Sequence, residues 1–228
     1  MSWNNAVAAP RATSALSTNK LIRNTYTLLA MTLLFSAAMA GVGMVVGIPY
    51  GFSMIASLVS LGLLWFVLPR TANSVAGIGV TFAITGLLGL GLGPILNMYL
   101  ALPNGSQIVM SAMGLTGLIF LGLSAYALTS RRDFSFMAGF LFSGILIAFV
   151  LGLVVMGAGM FGYHLPGLAL AVSAMFAVLM VGYILFQTSQ IVNGGETNYI
   201  MATVGLYLSI YNLFLSLLQL LGAFSGDD

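Results

Sequence analysis

The sequence predicts an all-α polytopic membrane protein with seven transmembrane helices. Of its 228 residues, 60% are hydrophobic and only 4% are charged, which is far too little charge to cover the surface of a water-soluble domain. Apolar runs of about 20 residues, the length that crosses a bilayer, recur seven times along the chain. All six Lys and Arg also fall on one side of a seven-span arrangement. Together these observations predict one helical bundle in lipid.

The first four predicted spans are separated by short segments that stop helices. Proline lacks a backbone N–H and glycine is flexible, so Pro49 ends span one, Pro69 ends span two and the Pro103–Gly105 connection ends span three. Span three is dense in glycine as far as Pro94, where we expect a kink or a break. The predicted spans cover residues 22–48, 50–68, 75–100 and 107–128.

The last three predicted spans follow the same logic. A charged connection with Arg131, Arg132 and Asp133 precedes span five, and Pro166 opens span six. A polar loop at residues 193–198 separates spans six and seven. The predicted spans cover residues 136–161, 168–192 and 199–224. The connections are too short to form a domain outside the membrane.

The positions of the cations predict the orientation. Three lie before or at the very start of the first span, one lies in the second connection and two lie in the fourth, in the order Arg11, Lys20, Arg23, Arg70, Arg131 and Arg132. The positive-inside rule makes that side the cytoplasm, with the N-terminus cytoplasmic and the C-terminus periplasmic. We expect residues 1–20 to form a flexible cytoplasmic tail and residues 21–228 to form a single seven-helix domain. Removal of span one as a signal peptide, by cleavage after Ala40, is disfavoured because the apolar run continues beyond that residue to Ile48.

The residues with reactive side chains are few, and they are separated. The chain has no cysteine and one histidine, so no thiolate or histidine metal site is expected. Six cations are too few for a nucleic-acid surface. Ser124 and His164 would lie at opposite ends of the bundle, which excludes a catalytic dyad. All four acids, Asp133, Glu196, Asp227 and Asp228, fall outside the predicted spans. The sequence therefore predicts no catalytic residue, no metal site and no cofactor.

Uncharged polar residues inside the predicted spans are the candidate site residues. Gln187 in span six and Ser209 in span seven can hydrogen-bond across two helices, either as interhelical glue or as part of a functional cavity. Asn97 and Asn212 are candidates for lining a polar cavity, and a break at Pro94 would add free carbonyls beside Asn97. For the span-three glycines we favour close helix packing over a ligand loop.

Charged residues of the cytoplasmic connections form a second candidate site. Glu196 would share this cytoplasmic mouth with Arg70, Arg131, Arg132 and Asp133. An ion pair between Glu196 and one of the arginines would hold the connections together. An exposed pair of this kind contributes only about 0–1 kcal/mol, so its role would be to position the loops.

Four segments resemble those of the Bax inhibitor-1 family. Residues 183–222, YILFQTSQIVNGGETNYIMATVGLYLSIYNLFLSLLQLLG, resemble the family's C-terminal signature. The segments LGPIL (92–96) and SAYALTSRRDFSFMAGFL (124–141) resemble other landmarks, and STNKLIRNTY (17–26) is similar to the bacterial YccA-like branch. The resemblance implies six helices surrounding a central seventh, in the bacterial inner membrane.

The resemblance also implies two functions. The first is a non-enzymatic protein that binds and inhibits FtsH, the membrane-anchored ATP-dependent protease of membrane-protein quality control, with that protease's associated membrane regulators as further candidate partners. The alternative is a passive cation leak channel that conducts calcium. Family members of that kind carry an aspartate pair as a pH sensor, at the positions that are Gln187 and Ser209 here. Because neither residue titrates near neutral pH, this chain is expected to lack the pH switch.

Overall fold

The computed structural model describes the backbone of residues 9–225 and the side chains of residues 17–225. Across these residues, seven helices are long and apolar enough to cross a membrane, which confirms the predicted fold class. The helices are α1 Ala9–Val46, α2 Tyr50–Thr71, α3 Val75–Leu100, α4 Gly105–Ser130, α5 Ala138–Met160, α6 Pro166–Asn193 and α7 Tyr199–Phe224. A 3₁₀ turn at Ser135–Met137 precedes α5, so the membrane-spanning segment that contains α5 begins at Ser135.

The two chain ends differ in how far the structure describes them. Helix α1 begins at Ala9, so part of the segment that we predicted as a flexible tail is helical. Residues 1–8 lie outside the described residues, as do Asp227 and Asp228 at the other end. The predicted boundary near residue 21 therefore falls inside a helix.

Helix α7 lies at the centre of the bundle. It packs against α1, α3, α4 and α6, whereas α2 packs mainly on α3 and α5 mainly on α6. Its buried face includes Leu206, Tyr207 and Leu213, each at most 1% exposed. The outer helix α5 instead presents large apolar side chains such as Phe140 and Phe142 to the outside, as lipid contact requires. This layering places the polar residues of α7 in the interior.

Helices α1 and α3 pack backbone to backbone through their glycines. A Cβ atom built on Gly93 would lie 2.6 Å from the carbonyl carbon of Gly43, and one built on Gly89 would lie 2.3 Å from the carbonyl oxygen of Ser36. No side chain fits at such distances, so these glycines set the helix spacing. The interpretation of the span-three glycines as packing residues agrees with this geometry.

Helix α3 continues through Pro94, so the break considered from the sequence is not formed. Proline removes one hydrogen-bond donor, which frees the carbonyl of Leu90 four residues earlier. That carbonyl oxygen is 2.6 Å from the place where a Cβ on Gly43 would lie. It is therefore covered by α1, and it does not line a polar cavity.

Candidate functional site

Gln187 on α6 and Ser209 on α7 both contact the turn of α7 that begins at Gly205. Both are buried, at 7% and 1% exposure. The Ser209 hydroxyl donates to the carbonyl of Gly205, at 2.8 Å. The amide nitrogen of Gln187 lies 2.7 Å from the position that a Cβ on Gly205 would occupy. The missing side chain of Gly205 thus leaves the room that the glutamine head fills.

The two side chains are neighbours but they do not bond to each other. The Ser209 hydroxyl is satisfied by its own helix, and the Gln187 amide hydrogen-bonds to no other residue of the described chain. The direct Gln187–Ser209 hydrogen bond considered from the sequence is therefore not formed. In a helix the i−4 carbonyl is always within reach of a serine hydroxyl, so it competes effectively with a partner on another helix.

The two asparagines considered as cavity residues bond to nearby backbone. Asn212 donates to the carbonyl of Leu208 in its own helix, at 2.8 Å. Asn97 is exposed, and it donates to the carbonyl of Met44 near the end of α1, at 3.1 Å. Asn97 therefore satisfies a helix-end carbonyl on the exposed side of α3.

A buried hydrogen-bond network that the sequence did not reveal joins three helices. The hydroxyls of Ser36 on α1 and Tyr207 on α7 lie 2.6 Å apart. The Tyr207 hydroxyl also donates to the carbonyl of Thr85 on α3, at 3.3 Å. All three residues lie within the predicted spans, but many other Ser and Thr do too, so their presence alone gives no signal that singles them out. Their pairing depends on how each helix is rotated, and a single sequence does not show that.

Asn198 ties the α6–α7 loop to the α2–α3 loop at the end of the bundle that carries the arginines. Its side-chain oxygen accepts from the backbone N–H of Ile200 and Met201, which caps α7. Its side-chain nitrogen donates to the Ala72 carbonyl at 3.1 Å and to the Asn73 side chain at 2.8 Å. Asparagine immediately before a helix is a known N-cap signal that would have identified this residue.

The α4–α5 loop is tied to the end of α6 in a similar way. The Ser189 hydroxyl donates to the carbonyl of Arg132 at 2.9 Å and accepts from the backbone N–H of Phe134 at 3.0 Å. Asn193 donates to the same Arg132 carbonyl at 3.2 Å. The three connections at this end of the bundle are thus held by side chains from α6 and α7.

The Glu196 side chain accepts hydrogen bonds from the backbone of its own loop. One of its carboxylate oxygens accepts from the backbone N–H of Thr197 at 2.8 Å and of Asn198 at 2.7 Å. Across the described residues it forms no ion pair with Arg70, Arg131 or Arg132, so the clamp considered from the sequence is not formed in this structure. Two adjacent backbone donors satisfy the carboxylate without ordering a long arginine side chain, which would cost conformational entropy.

The other charged residues of this end also make local contacts or face outward. The Asp133 carboxylate accepts from the hydroxyl and the backbone N–H of Ser135, and these hydrogen bonds lower the pKa of Asp133. Arg70 donates to the carbonyl of Phe66 in its own helix. Arg131 and Arg132 are exposed, and Arg131 ends α4 in the left-handed conformation. The carboxylates are thus turned to nearby backbone, while the guanidinium groups remain accessible.

The described residues contain no group of three His, Asp or Glu side chains that could hold a metal ion. Ser124 is buried near the end of α4, and His164 is exposed before the start of α6. Those positions lie at opposite ends of the bundle, as we expected from the sequence. The part of the chain that the structure describes therefore brings no nucleophile and base together.

Comparison with known proteins supplies the family. The family model described as "Inhibitor of apoptosis-promoting Bax1" matches residues 18–226. The chain is 50% identical to the Escherichia coli protein named "Modulator of FtsH protease YccA", over 94% of this chain and 95% of that one. The same identity and coverage hold for a second Escherichia coli strain, whose protein is named "Inner membrane protein YccA". An uncharacterized membrane protein of Vibrio cholerae is 48% identical over 93% of each chain.

These similarities agree with the helices and with the sequence landmarks. Seven membrane-spanning helices and relatives named as inner membrane proteins identify the chain as a multi-pass protein of the inner membrane. The matched region includes all seven spans from residue 18 onward. The chain belongs to the Bax inhibitor-1 family.

Proposed function

We propose that the chain binds the FtsH protease in the inner membrane and inhibits its degradation of membrane proteins. The observation that carries this proposal is the 50% identity, over nearly the full length of both chains, to a protein named as a modulator of that protease. Identity this high over all seven helices supports a shared partner, because the surfaces that meet the partner lie on those helices and their connections. Membrane regulators associated with FtsH are further candidate partners.

The interior chemistry supports a regulatory role over a catalytic one. The polar side chains buried between the described helices are Ser, Thr, Gln and Tyr, with no buried carboxylate, lysine or arginine among them. Such groups hydrogen-bond and pack, but they do not activate water at neutral pH without a base. The chain therefore acts by contact with its partner.

The end that carries the arginines is the surface we assign to the protease. The orientation predicted from the cations places this end in the cytoplasm. Its loops are tied together by Asn198 and Ser189, which makes the surface pre-organised. Arg70, Arg131 and Arg132 are exposed there, while Glu196 and Asp133 are turned to their own loops. The surface thus presents positive charge, which fits an acidic patch on the partner.

The test is co-purification from native membranes followed by a degradation assay. We expect tagged chain to retain FtsH and to slow its digestion of a membrane substrate in proteoliposomes. Arg131→Glu with Arg132→Glu should weaken both effects several-fold, because like charges would then face the acidic patch. His164→Glu, which changes charge at the opposite end, is the matched control and should leave both unchanged. Failure of the tagged chain to retain FtsH would remove the proposal.

A passive calcium leak is the second candidate, and buried uncharged oxygens in the bundle are the observation that favours it. The Gln187 amide of α6 and the Ser209 hydroxyl of α7 lie beside the same turn of α7, where neutral oxygens can contribute to a path for a cation. Calcium prefers carboxylate oxygens, however, and no carboxylate is buried between the described helices.

A further inference from the structure

Four buried hydroxyl groups have no hydrogen-bonding partner among the described residues. Their oxygen atoms are shielded from the outside, and they lie on α1, α4 and α6. Leaving a buried hydroxyl unpaired is unfavourable, and in lipid no bulk water compensates for it. The four oxygens are Thr25 Oγ1, Tyr26 Oη, Ser124 Oγ and Thr188 Oγ1.

These four hydroxyls differ from the other hydroxyls of the bundle. Thr81 donates to the Gly77 carbonyl at 2.8 Å, and Thr116 donates to the Ala112 carbonyl at 2.7 Å, each within its own helix. That i−4 bond is open to any helical serine or threonine. Thr25, Ser124 and Thr188 do not make it. Their hydroxyls are therefore directed away from their own helix backbone.

The contacts place the four groups in one layer of the bundle. The ring centroids of Tyr26 and Phe120 are 6.2 Å apart, and Ser124 follows Phe120 by one helical turn. The backbone carbonyl of Thr25 accepts from Thr203 on α7, at 3.2 Å. These contacts bring the part of α1 around Thr25 and Tyr26 beside the second turn of α7 and beside the part of α4 that holds Phe120 and Ser124.

Helix α6 completes that layer. Thr188 lies between Gln187, which fills the space beside Gly205 of α7, and Ser189, which bonds the Arg132 carbonyl just beyond α4. Helix α6 packs against α4, α7 and α1. Because Gln187 contacts Gly205 and Thr25 is bonded by Thr203, two residues apart on α7, Thr188 is close in depth to Thr25, and its helix contacts those of the other unpaired hydroxyls.

We propose that these four hydroxyls share a hydrated site between α1, α4 and α6, at the end of the bundle that carries the arginines, and that its ligand is water. A water molecule makes two to four hydrogen bonds, and each hydroxyl both donates and accepts, so a small water cluster satisfies all four groups. No carboxylate is buried between the described helices, so the site lacks the anionic oxygens that bind hard cations. The neighbouring Gln187 amide adds a donor and an acceptor.

The first test uses the sign of a stability change. If water bridges the hydroxyls, Thr188→Val and Ser124→Ala each leave a water short of a partner, and each lowers the Tm in detergent by about 2–4 °C. In a dry site the same changes remove an unpaired polar group and raise the Tm, which would overturn the proposal. Thr81→Val is the matched control, because that hydroxyl is satisfied by its own helix, and its Tm should stay near the parent value.

The second test asks whether the groups share one site. The double variant Thr188→Val with Ser124→Ala should lower the Tm by less than the sum of the single changes, because both act on the same waters. If the two Tm changes simply add in the double variant, the hydroxyls do not share one site and the proposal is overturned. The Tm of the unmodified protein is also compared in sodium, potassium and choline salts at equal ionic strength. A higher Tm in sodium or potassium would show that the ligand is a monovalent cation and would overturn the assignment of water.

A third measurement is independent of how the variants fold. Brief X-ray irradiation in water generates hydroxyl radicals from bound water, and these label adjacent side chains. In the unmodified protein we expect Tyr26, a half-buried side chain whose hydroxyl oxygen is shielded, to be labelled at least several-fold more than Tyr183, an equally half-buried tyrosine of α6 whose hydroxyl is not among the unpaired groups. Equal low labelling of the two tyrosines would overturn the proposal.

Discussion

Tyr207 shows how one residue links the helices of this bundle. It is among the largest fully buried side chains, and its hydroxyl has a partner on each of two other helices, Ser36 on α1 and Thr85 on α3. Its ring stacks on Tyr211, with centroids 6.1 Å apart. Hydrogen bonds between membrane helices contribute about 0.6 kcal/mol on average, and more where a group has no alternative partner.

We expect Tyr207→Phe to lower the free energy of unfolding by about 0.6–2 kcal/mol, because it removes the shared hydroxyl and leaves Ser36 unpaired. The measurement is equilibrium unfolding in mixed micelles. Tyr163→Phe is the matched control, since Tyr163 is 71% exposed and its hydroxyl should contribute nothing. In a protein that already carries Tyr207→Phe, Ser36→Ala should lower the free energy of unfolding only slightly further, because the Ser36 hydroxyl has already lost its partner. A Tyr207→Phe protein as stable as its parent would contradict the role of the network.

Glu196 is the second residue for which the structure changes the expectation. Because its carboxylate caps the loop before α7, we expect Glu196→Gln to retain most of the stability and Glu196→Ala to lose roughly 0.5–1 kcal/mol. The measurement is thermal unfolding in detergent. Charge reversal with Glu196→Arg should not be rescued by Arg70→Glu, since the two side chains do not pair. Rescue by charge reversal at position 70, 131 or 132 would restore the ion-pair interpretation.

At the scale of the helices, the sequence predicted most of the architecture. Every predicted span overlaps a helix, and most boundaries agree within a few residues, because apolar length and proline or glycine stops are local signals. Helix rotation is not local, so the sequence did not show that Tyr207 meets Ser36. The effect of Pro94 also depended on a neighbour, since Gly43 of α1 lies against the freed carbonyl of Leu90.

The site residues were predictable only in part, for the same reason. Gln187 and Ser209 do converge on one turn of α7, but the competing backbone carbonyl of Gly205 decides what Ser209 bonds. Glu196 was located at the correct end of the bundle, yet its partners are the adjacent N–H groups of its own loop. A sequence predicts which groups are close along the chain and at which depth they lie. It does not rank backbone against side-chain partners.

The α1–α3 contact gives a prediction at the scale of two helices. We expect Gly93→Ala to lower the free energy of unfolding by about 1–3 kcal/mol or more, because its Cβ would lie 2.6 Å from the carbonyl carbon of Gly43. Backbone atoms cannot move aside as a flexible side chain can. Gly114→Ala on the outer face of α4 is the matched control, since nothing lies within 4 Å of its Cβ position. Equal effects of the two changes would show that the helices are not in close contact.

Among the residues that the structure describes, charge is kept out of the interior of the bundle. The described helices bury many polar groups between them, but each of these groups is uncharged at neutral pH. Five of the described charged side chains lie at or beside the loops tied by Asn198 and Ser189, and Lys20 and Arg23 are exposed on α1. The bundle thus pairs a neutral interior with a charged, pre-organised end, which suits contact with a partner better than movement of ions.

This distribution predicts how calcium flux depends on pH. Proteoliposomes loaded with a calcium dye should show little flux with the unmodified protein, and little change between pH 6 and 8, because Gln187 and Ser209 do not titrate there. The double variant Gln187→Asp with Ser209→Asp places two carboxylates beside one turn of α7, where the unmodified protein has an amide and a hydroxyl. Two carboxylates this close interact and share protons, so the pair supplies a titratable group that the unmodified protein lacks.

The same double variant should also gain pH-dependent calcium flux, since carboxylate oxygens supply the ligands that the cation prefers. Gln187→Asn with Ser209→Asn is the matched control, because it changes the same two positions without adding charge, and its flux should stay low at both pH values. Strong pH-dependent flux through the unmodified protein would contradict the neutral-interior interpretation and favour the leak channel. Low flux in the unmodified protein, together with retention of FtsH in the co-purification, would favour the protease modulator.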